Sequence, residues 1–282
     1  MNGIILINKP TGYTSRDIVN IVGKRLSTKK IGHTGTLDPL ATGVLVLCVG
    51  KYTKLVDLIT SYDKEYIAEV ILGLETDTLD IEGNIIKEVN VNNIEKNIII
   101  EALNHFKGKY LQEVPAYSAV KINGKKLYEY ARNNIEIQLP KREVIIKEIE
   151  LIDNITFEKN KLIFKFKTSV SKGTYIRSLI RDIGEYLKVP ATMKNLTRTR
   201  QGNFKLEDCN ELENEYKILS IEEVINLPII DVVDEKLKKQ ILNGAKIDNI
   251  YNKEMIMFKI NNEIVGIYHN DNDILKPYKM LI

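Results

Sequence analysis

Cysteine and histidine are scarce in this 282-residue chain, and their scarcity removes whole classes of chemistry. The two cysteines, Cys48 and Cys209, stand far apart, with no C-x-x-C pair and no Cys/His spacing of a zinc site. Cys48 lies inside the apolar run at 44–49, where a small buried hydrophobe is the expected role rather than a nucleophile. Three histidines, His33, His105 and His269, are too scattered to surround a metal, so at most one is functional. Long apolar runs are missing too: residues 3–7 and 43–50 fall far short of the roughly 20 that span a bilayer. The first run ends at Asn8-Lys9-Pro10 and no basic n-region precedes it, so the expectation is a cytoplasmic protein with no membrane segment. Internal repeats and low-complexity stretches are absent, which excludes solenoids and fibres. A phosphate-cradling G-x-x-x-x-G-K-[ST] loop is absent as well, because Gly50-Lys51 is followed by Tyr52, and this argues against a nucleotide hydrolase. Neither sign of charge dominates: 41 basic against 38 acidic residues leave +3, so any polyanion site must be local.

What is present is an ordinary globular composition, 44% apolar and 28% charged, with length for one large domain and a small one. Charge is concentrated locally. Residues 172–205 hold eight basic side chains against Asp182 and Glu185, and residues 121–147 hold seven against three acids. Residues 207–223 then hold seven acids and only Lys217. Such runs can be solvated faces, but Tyr128, Tyr130 and Tyr175 interleave with the cations as aromatics do where bases stack and phosphates pair. Periodicity gives a mixed α/β (α+β) reading. Residues 3–7 form a strand, and Ser15 caps a helix with Ile18, Ile21, Val22 and Leu26 on one face. Residues 64–72 alternate as a central strand, and 142–151 and 161–168 read as sheet neighbours. Residues 175–187 read as a helix with Arg177 and Arg181 one turn apart and pointing together. The pattern restarts near Leu227-Pro228, with a helix at 234–242 and a hairpin around Asn261-Asn262. The expected division is a domain at 1–228 and a small one at 229–282.

The most unusual segment is Gly32-His33-Thr34-Gly35-Thr36-Leu37-Asp38-Pro39-Leu40-Ala41-Thr42-Gly43-Val44-Leu45, a Gly/Thr-rich loop presenting one carboxylate before an apolar strand. By residue type alone it is either a plain turn or a site loop. It closely resembles the catalytic loop of bacterial tRNA pseudouridine-55 synthases, the TruB family. Further matches follow in order: Asn8-Lys9-Pro10 with Gly12, Asp63-Lys64-Glu65-Tyr66, and Gln112-Glu113-Val114-Pro115 through Tyr117-Ser118-Ala119. They continue with Gly124-Lys125-Lys126-Leu127-Tyr128-Glu129-Tyr130-Ala131-Arg132 and Ser171-Lys172-Gly173-Thr174-Tyr175-Ile176-Arg177. The resemblance covers residues 1–205 strongly and 227–244 more weakly. Ala116 departs from the Pro or Ser common after that position's proline, which affects the local loop shape.

The resemblance implies a pseudouridine synthase fold, an antiparallel-rich central sheet flanked by helices with a small C-terminal PUA-like RNA-binding domain. It implies cofactor-free, metal-free isomerisation of uridine 55 in the tRNA T-loop. Asp38 is then the catalytic aspartate, Tyr66 stacks on the flipped base, and Arg177 pairs with Asp38 and helps fix the substrate backbone. His33 is placed near the nucleotide flipped from the T-loop, Tyr175 beside the substrate, and Leu196 as an apolar neighbour of the site. Lys9, Lys121, Lys125, Lys126, Arg132, Arg142 and Lys172 are expected phosphate contacts, with binding that weakens as salt rises. A monomer is expected, for no coiled-coil pattern is present. The rival reading is a non-catalytic tRNA-binding or folding protein on the same scaffold, which would need the cations and tyrosines but not Asp38.

Overall fold

Strict alternation and continuous apolar runs both occur among the strands, and each finds its physical reason in what covers the sheet. The structure, a computed structural model, describes residues 1–92, 94–152 and 154–282. Its main sheet is built from β1 (Gly3–Lys9), β2 (Ile31–His33), β3 (Thr42–Val49), β4 (Lys64–Leu72), β5 (Gly108–Glu113), β6 (Lys141–Leu151), β7 (Lys161–Val170) and β8 (Ala191–Gln201). The order across it is β1-β3-β8-β4-β7-β6-β5, with β2 also on β3. Pairing is antiparallel except where β8 meets β3, Thr197 opposite Thr42 and Arg198 opposite Gly43. Gly43 permits that approach: at φ +102° a Cβ there would lie 2.2 Å from the Arg198 carbonyl oxygen.

Helices α1 (Ser15–Arg25), α2 (Lys96–His105) and α3 (Ile176–Leu187) belong to this domain. Ile18, Val22, Ile99, Leu103, Leu179, Ile180 and Ile183 join one core with Ile5, Ile7, Leu45, Leu47 and the inward residues Tyr66, Ala68, Val70 and Leu72 of β4. Each large side chain so buried contributes about 1.5–3 kcal/mol. The alternate residues of β4, Glu65 and Glu69, stay on the other face and are bonded across strands by Thr199 and Asn195. The β1–β3 end is covered on both faces, which is why its sequence runs apolar without alternation. There Ile4, Leu6, Val44, Val46 and Cys48 face a second core shared with Tyr52, Leu55, Ile59, Met257, Ile264, Ile267 and Leu281. Burial pushes the Cys48 thiol up to about 12, which suits a core residue.

Residues from Ile229 onward form a second sheet: β9 (Ile229–Asp231), β10 (Ile247–Asp248), β11 (Met255–Ile260), β12 (Glu263–Asp271) and β13 (Ile274–Met280), in the order β9-β11-β12-β13-β10. Asn261 and Asn262, both at positive φ, turn the β11–β12 hairpin, and helix α4 (Glu235–Leu242) is capped by Asp234. Three helix starts differ from the sequence expectation by one residue, α4 among them, since Asp234 is its cap and not its first residue. Thr14, not Ser15, caps α1, its hydroxyl accepting from Asp17 N at 3.1 Å while the Asp17 carboxylate accepts from Thr14 N at 2.9 Å. Ser15 is thereby released for a long-range bond. Tyr175 is the N-cap residue of α3, which begins at Ile176.

Candidate active site

Asp38 is held by its neighbours on both sides. The Ser15 hydroxyl donates to Leu37 O at 3.0 Å and accepts from Leu37 N at 2.8 Å, tying the start of α1 to the residue before Asp38. On the other side Lys9 Nζ donates to Pro10 O, Tyr13 O and Pro39 O at 2.8, 2.7 and 3.2 Å. Lys9 is 0% exposed, and burial holds its pKa down to about 8. The expectation that Lys9 meets a phosphate is therefore corrected. Its ammonium is spent on carbonyls, and it braces the Asp38 loop from within. The far end of the loop is fixed from β8: Arg198 donates Nε to Val44 O at 2.7 Å and Nη2 to Gly35 O at 3.1 Å, and Gln201 Nε2 donates to Thr34 O at 3.0 Å.

Arg177 completes the pair. Its Nε lies 2.9 Å from Asp38 Oδ2, while Nη1 donates to Thr78 O at 2.7 Å and Nη2 to Tyr117 O at 3.0 Å. Asp80 Oδ2 stands 3.7 Å from Nη1, and its other oxygen accepts from Thr78 Oγ1 at 2.7 Å and Glu82 N at 3.1 Å. A guanidinium bonded on every nitrogen has one orientation, so Asp38 meets a fixed cation. The start of α3 is fixed in turn: fully buried Gln112 accepts from Tyr175 N at 2.8 Å and donates to Tyr175 O at 3.0 Å, and Ser178 Oγ donates to Glu113 O at 2.8 Å. Arg181 does not point with Arg177, which corrects that expectation. It binds Glu113 and Asp182 at 3.0 and 2.7 Å, a separate cluster.

Asp38, Tyr66, Arg177, His33, Tyr175 and Leu196 line one cavity of about 430 Å³. Tyr66 and Leu196 sit on adjacent strands, with Leu196 opposite Ala68, and give the cavity an aromatic and an aliphatic wall. Burial, then Arg16 and Arg198, lowers the His33 pKa, so the imidazole is neutral at pH 7. Gly35 N approaches its Nδ1 at 3.4 Å, which leaves Nε2 as the protonated nitrogen. A crevice of about 520 Å³ is lined by Asp208, Glu223, Lys217 and Phe204, but among the described residues no ion pair joins Lys217 to either carboxylate.

The other expected cations frame the cavity from outside. Lys121 and Lys126 face each other in a two-stranded hairpin, Lys121–Ile122 with Lys125–Lys126, that leads into the short helix Leu127–Arg132. Lys121, Lys125, Arg132 and Lys172 are exposed, and Lys126 and Arg142 are half-buried. None of these six forms an ion pair with another described residue. Lys126 and Arg132 each lie 5.3 Å from the Tyr128 ring centre, and Tyr130 Oη donates to Ile122 O, so these two tyrosines brace the hairpin. Arg142 lies 5.8 Å from the Tyr175 ring. Sequence reading missed Asp80, Gln112, Ser15 and the inward roles of Lys64 and Arg198. For Lys64 a signal existed: it shares the even-numbered, buried parity of Tyr66, Ala68, Val70 and Leu72 on β4.

A family model for the N-terminal domain of TruB family pseudouridylate synthases matches residues 24–176, and one for the tRNA pseudouridylate synthase B C-terminal domain matches 177–227. The second sheet lies beyond both. Curated relatives named tRNA pseudouridine synthase B include one from Bacillus cytotoxicus, 42% identical over 300 residues, covering 100% of this chain and 98% of the relative. Another, from Bacillus subtilis, is 44% identical over 259 residues, covering 88% of this chain and 84% of the relative. Among solved structures, a Cbf5-Nop10-Gar1 complex aligns with TM-score 0.71 at 24% identity, covering 99% of this chain and 85% of that one. An H/ACA RNP bound to a substrate RNA containing 2'-deoxyuridine aligns at TM-score 0.70, with the same identity and coverage. At that identity the likeness carries the fold, large mixed sheet and small C-terminal domain together.

Proposed function

The chain belongs to the TruB family of pseudouridylate synthases, and we propose that its reaction is the isomerisation of uridine 55 in the T-loop of tRNA, with Asp38 as nucleophile. It is an isomerase of tRNA. In this reading the target nucleotide leaves the stack and enters the cavity, its base between Tyr66 and Leu196. Asp38 attacks the nucleotide, the C1'–N1 bond breaks, the base turns while held, a C1'–C5 bond forms, and the bond to Asp38 breaks to return its free carboxylate. C5 gives up its proton and N1 gains one, so atoms and electrons balance within the nucleotide and no cofactor is called for. Arg177 keeps the carboxylate charged and aimed. His33 meets a nucleotide displaced from the loop, and the hairpin cations with Arg142 and Lys172 take phosphates. The small C-terminal domain adds RNA contact, and the protein acts as a monomer.

The observation that carries this reading is the Asp38–Arg177 pair at 2.9 Å, one carboxylate and one fully bonded cation opening on a cavity with an aromatic wall. Incubating the protein with an unmodified tRNA transcript and mapping modified positions by reverse transcription tests it. A single new pseudouridine at position 55 is expected. Modification elsewhere, or tight binding with none, would overturn it, the latter in favour of an RNA-folding protein.

A further inference from the structure

Three cations line the cavity, Lys64, Arg177 and Arg198, against one carboxylate, Asp38. Arg177 is answered by Asp38 and Asp80. Lys64 and Arg198, 6% and 1% exposed, form no ion pair with a described residue, for the carboxylate beside Lys64, Asp63, is taken by Lys147. The two are neighbours. β8 pairs Arg198 with Tyr66 and Gln201 with Lys64, and a Cβ on Gly35 would lie 3.4 Å from Arg198 Nη1 and 3.9 Å from Lys64 Cε. Each keeps a donor in hand. Lys64 Nζ donates to Thr60 O and Tyr62 O at 2.6 and 2.7 Å, leaving a third proton. Arg198 uses Nε and Nη2 on carbonyls, and its Nη1, uncovered because residue 35 is glycine, has no partner among the described residues.

Adjacent buried like charges are costly unless an anion answers them. Burial and then Arg198 hold the Lys64 pKa down to about 8, so the ammonium is still charged at neutral pH. Lys172, exposed between the cavity-lining Ser171 and Gly173, adds to the same positive field. We propose that Lys64 and Arg198 form an anion subsite that takes a backbone phosphodiester flanking the target nucleotide, at the inner end of the cavity. The assignment rests on the RNA reading of the site. It gives the enzyme a phosphate anchor separate from the exposed hairpin, gripping the flipped nucleotide itself.

The test uses T-arm stem-loop RNAs with a neutral methylphosphonate at the linkage 5' or 3' of the target uridine, and the full-length protein. Wild type should lose about tenfold or more in Kd for one of the two, as loss of a charge-assisted hydrogen bond implies. Arg198→Met and Lys64→Met should bind unmodified RNA more weakly and show no further loss with that methylphosphonate, with turnover at saturation falling less than affinity. Arg198→Lys and Lys64→Arg should recover part of the affinity. If variant and methylphosphonate losses multiply, the subsite is overturned. If kcat falls while Kd is unchanged, it is likewise overturned, and the cations act on charge that develops in the detached base. Should Arg198→Met fail to fold through its bonds to Val44 and Gly35, Lys64→Met carries the same cycle. Product from the unmodified stem-loop with wild type tests the RNA reading separately.

Discussion

Lys9 and Lys125 both sit beside a Pro or Gly in matching motifs, yet the folded chain uses them in opposite ways. Lys9 is fully buried with its ammonium on three carbonyls, beneath the Asp38 loop. Lys125 is exposed at a hairpin end, with no ion pair to any described residue. The same contrast separates Arg177 from Arg132. Lys9 and Arg177 are fixing devices, since every bond they make removes a degree of freedom from the reacting groups. On the hairpin a cation is left unanswered, and it gains its partner only when a polyanion arrives. Substitutions of Lys9 or Arg177 should therefore damage turnover or stability, and those on the hairpin affinity and its salt dependence.

The sharpest way to break that contrast is Arg177→Met. Single-turnover rates should fall at least about a hundredfold, and the folded state should lose on the order of 3 kcal/mol because Asp80 is left without its cation. A loss confined to tRNA affinity would erase the distinction. Next, Lys9→Met leaves the carbonyls of Pro10, Tyr13 and Pro39 without their donor and should cost about 2 kcal/mol in urea melts. Its slope of log Kd against log salt should stay that of wild type. A shallower slope would return Lys9 to the phosphate-binding set. The triple change of Lys121, Lys125 and Lys126 to Ala should do the reverse. It should leave the melt within about 0.5 kcal/mol, raise Kd about tenfold, and flatten the salt slope by roughly two to three phosphate contacts.

The smallest effect is a pH slope. Lys9 and Lys64 are held near 8 in the folded protein against an ordinary 10.5. Between pH 8 and 10 these two lysines bind more protons in the unfolded chain than in the folded one, and their contribution to stability rises with pH over that window. Lys9→Met should lose its share of the rise, measured as urea midpoints at pH 8, 9 and 10. Above about pH 9 Cys48 and Cys209, pushed up to about 12 by burial, oppose this rise, and above about pH 10 Tyr52 and Tyr62, also raised by burial, oppose it further.

What was legible in the sequence follows the reach of each interaction. The buried face of β4, the Asn261-Asn262 hairpin and the helix ending at Leu242 are decided within a few residues, and period and turn chemistry expose them. The Asp38, Tyr66 and Arg177 set was legible through motif resemblance alone, since those residues lie on a loop, a strand and a helix that only the folded sheet brings together. Asp80 gave no signal because a Thr/Asp/Gly turn reads the same whether or not an arginine comes to it. Arg198 read as one more charge in a basic run, its inward direction depending on the β8–β3 crossing that Gly43 permits. The continuous apolar run of β3 did report that both its faces are covered, though not that Met257, Ile264 and Ile267 of the second sheet are among the residues that cover one of them.

The central claim is that Asp38 performs the chemistry while the surrounding cations only position and bind. Pseudouridine formation at position 55 of an unmodified tRNA transcript, compared for wild type and Asp38→Asn with tRNA affinity measured alongside, tests it most directly. The account predicts full conversion by wild type, a loss of at least about a thousandfold in the variant, and Kd values within a few fold of each other. Comparable product from the variant, or loss of binding in step with loss of product, would contradict it.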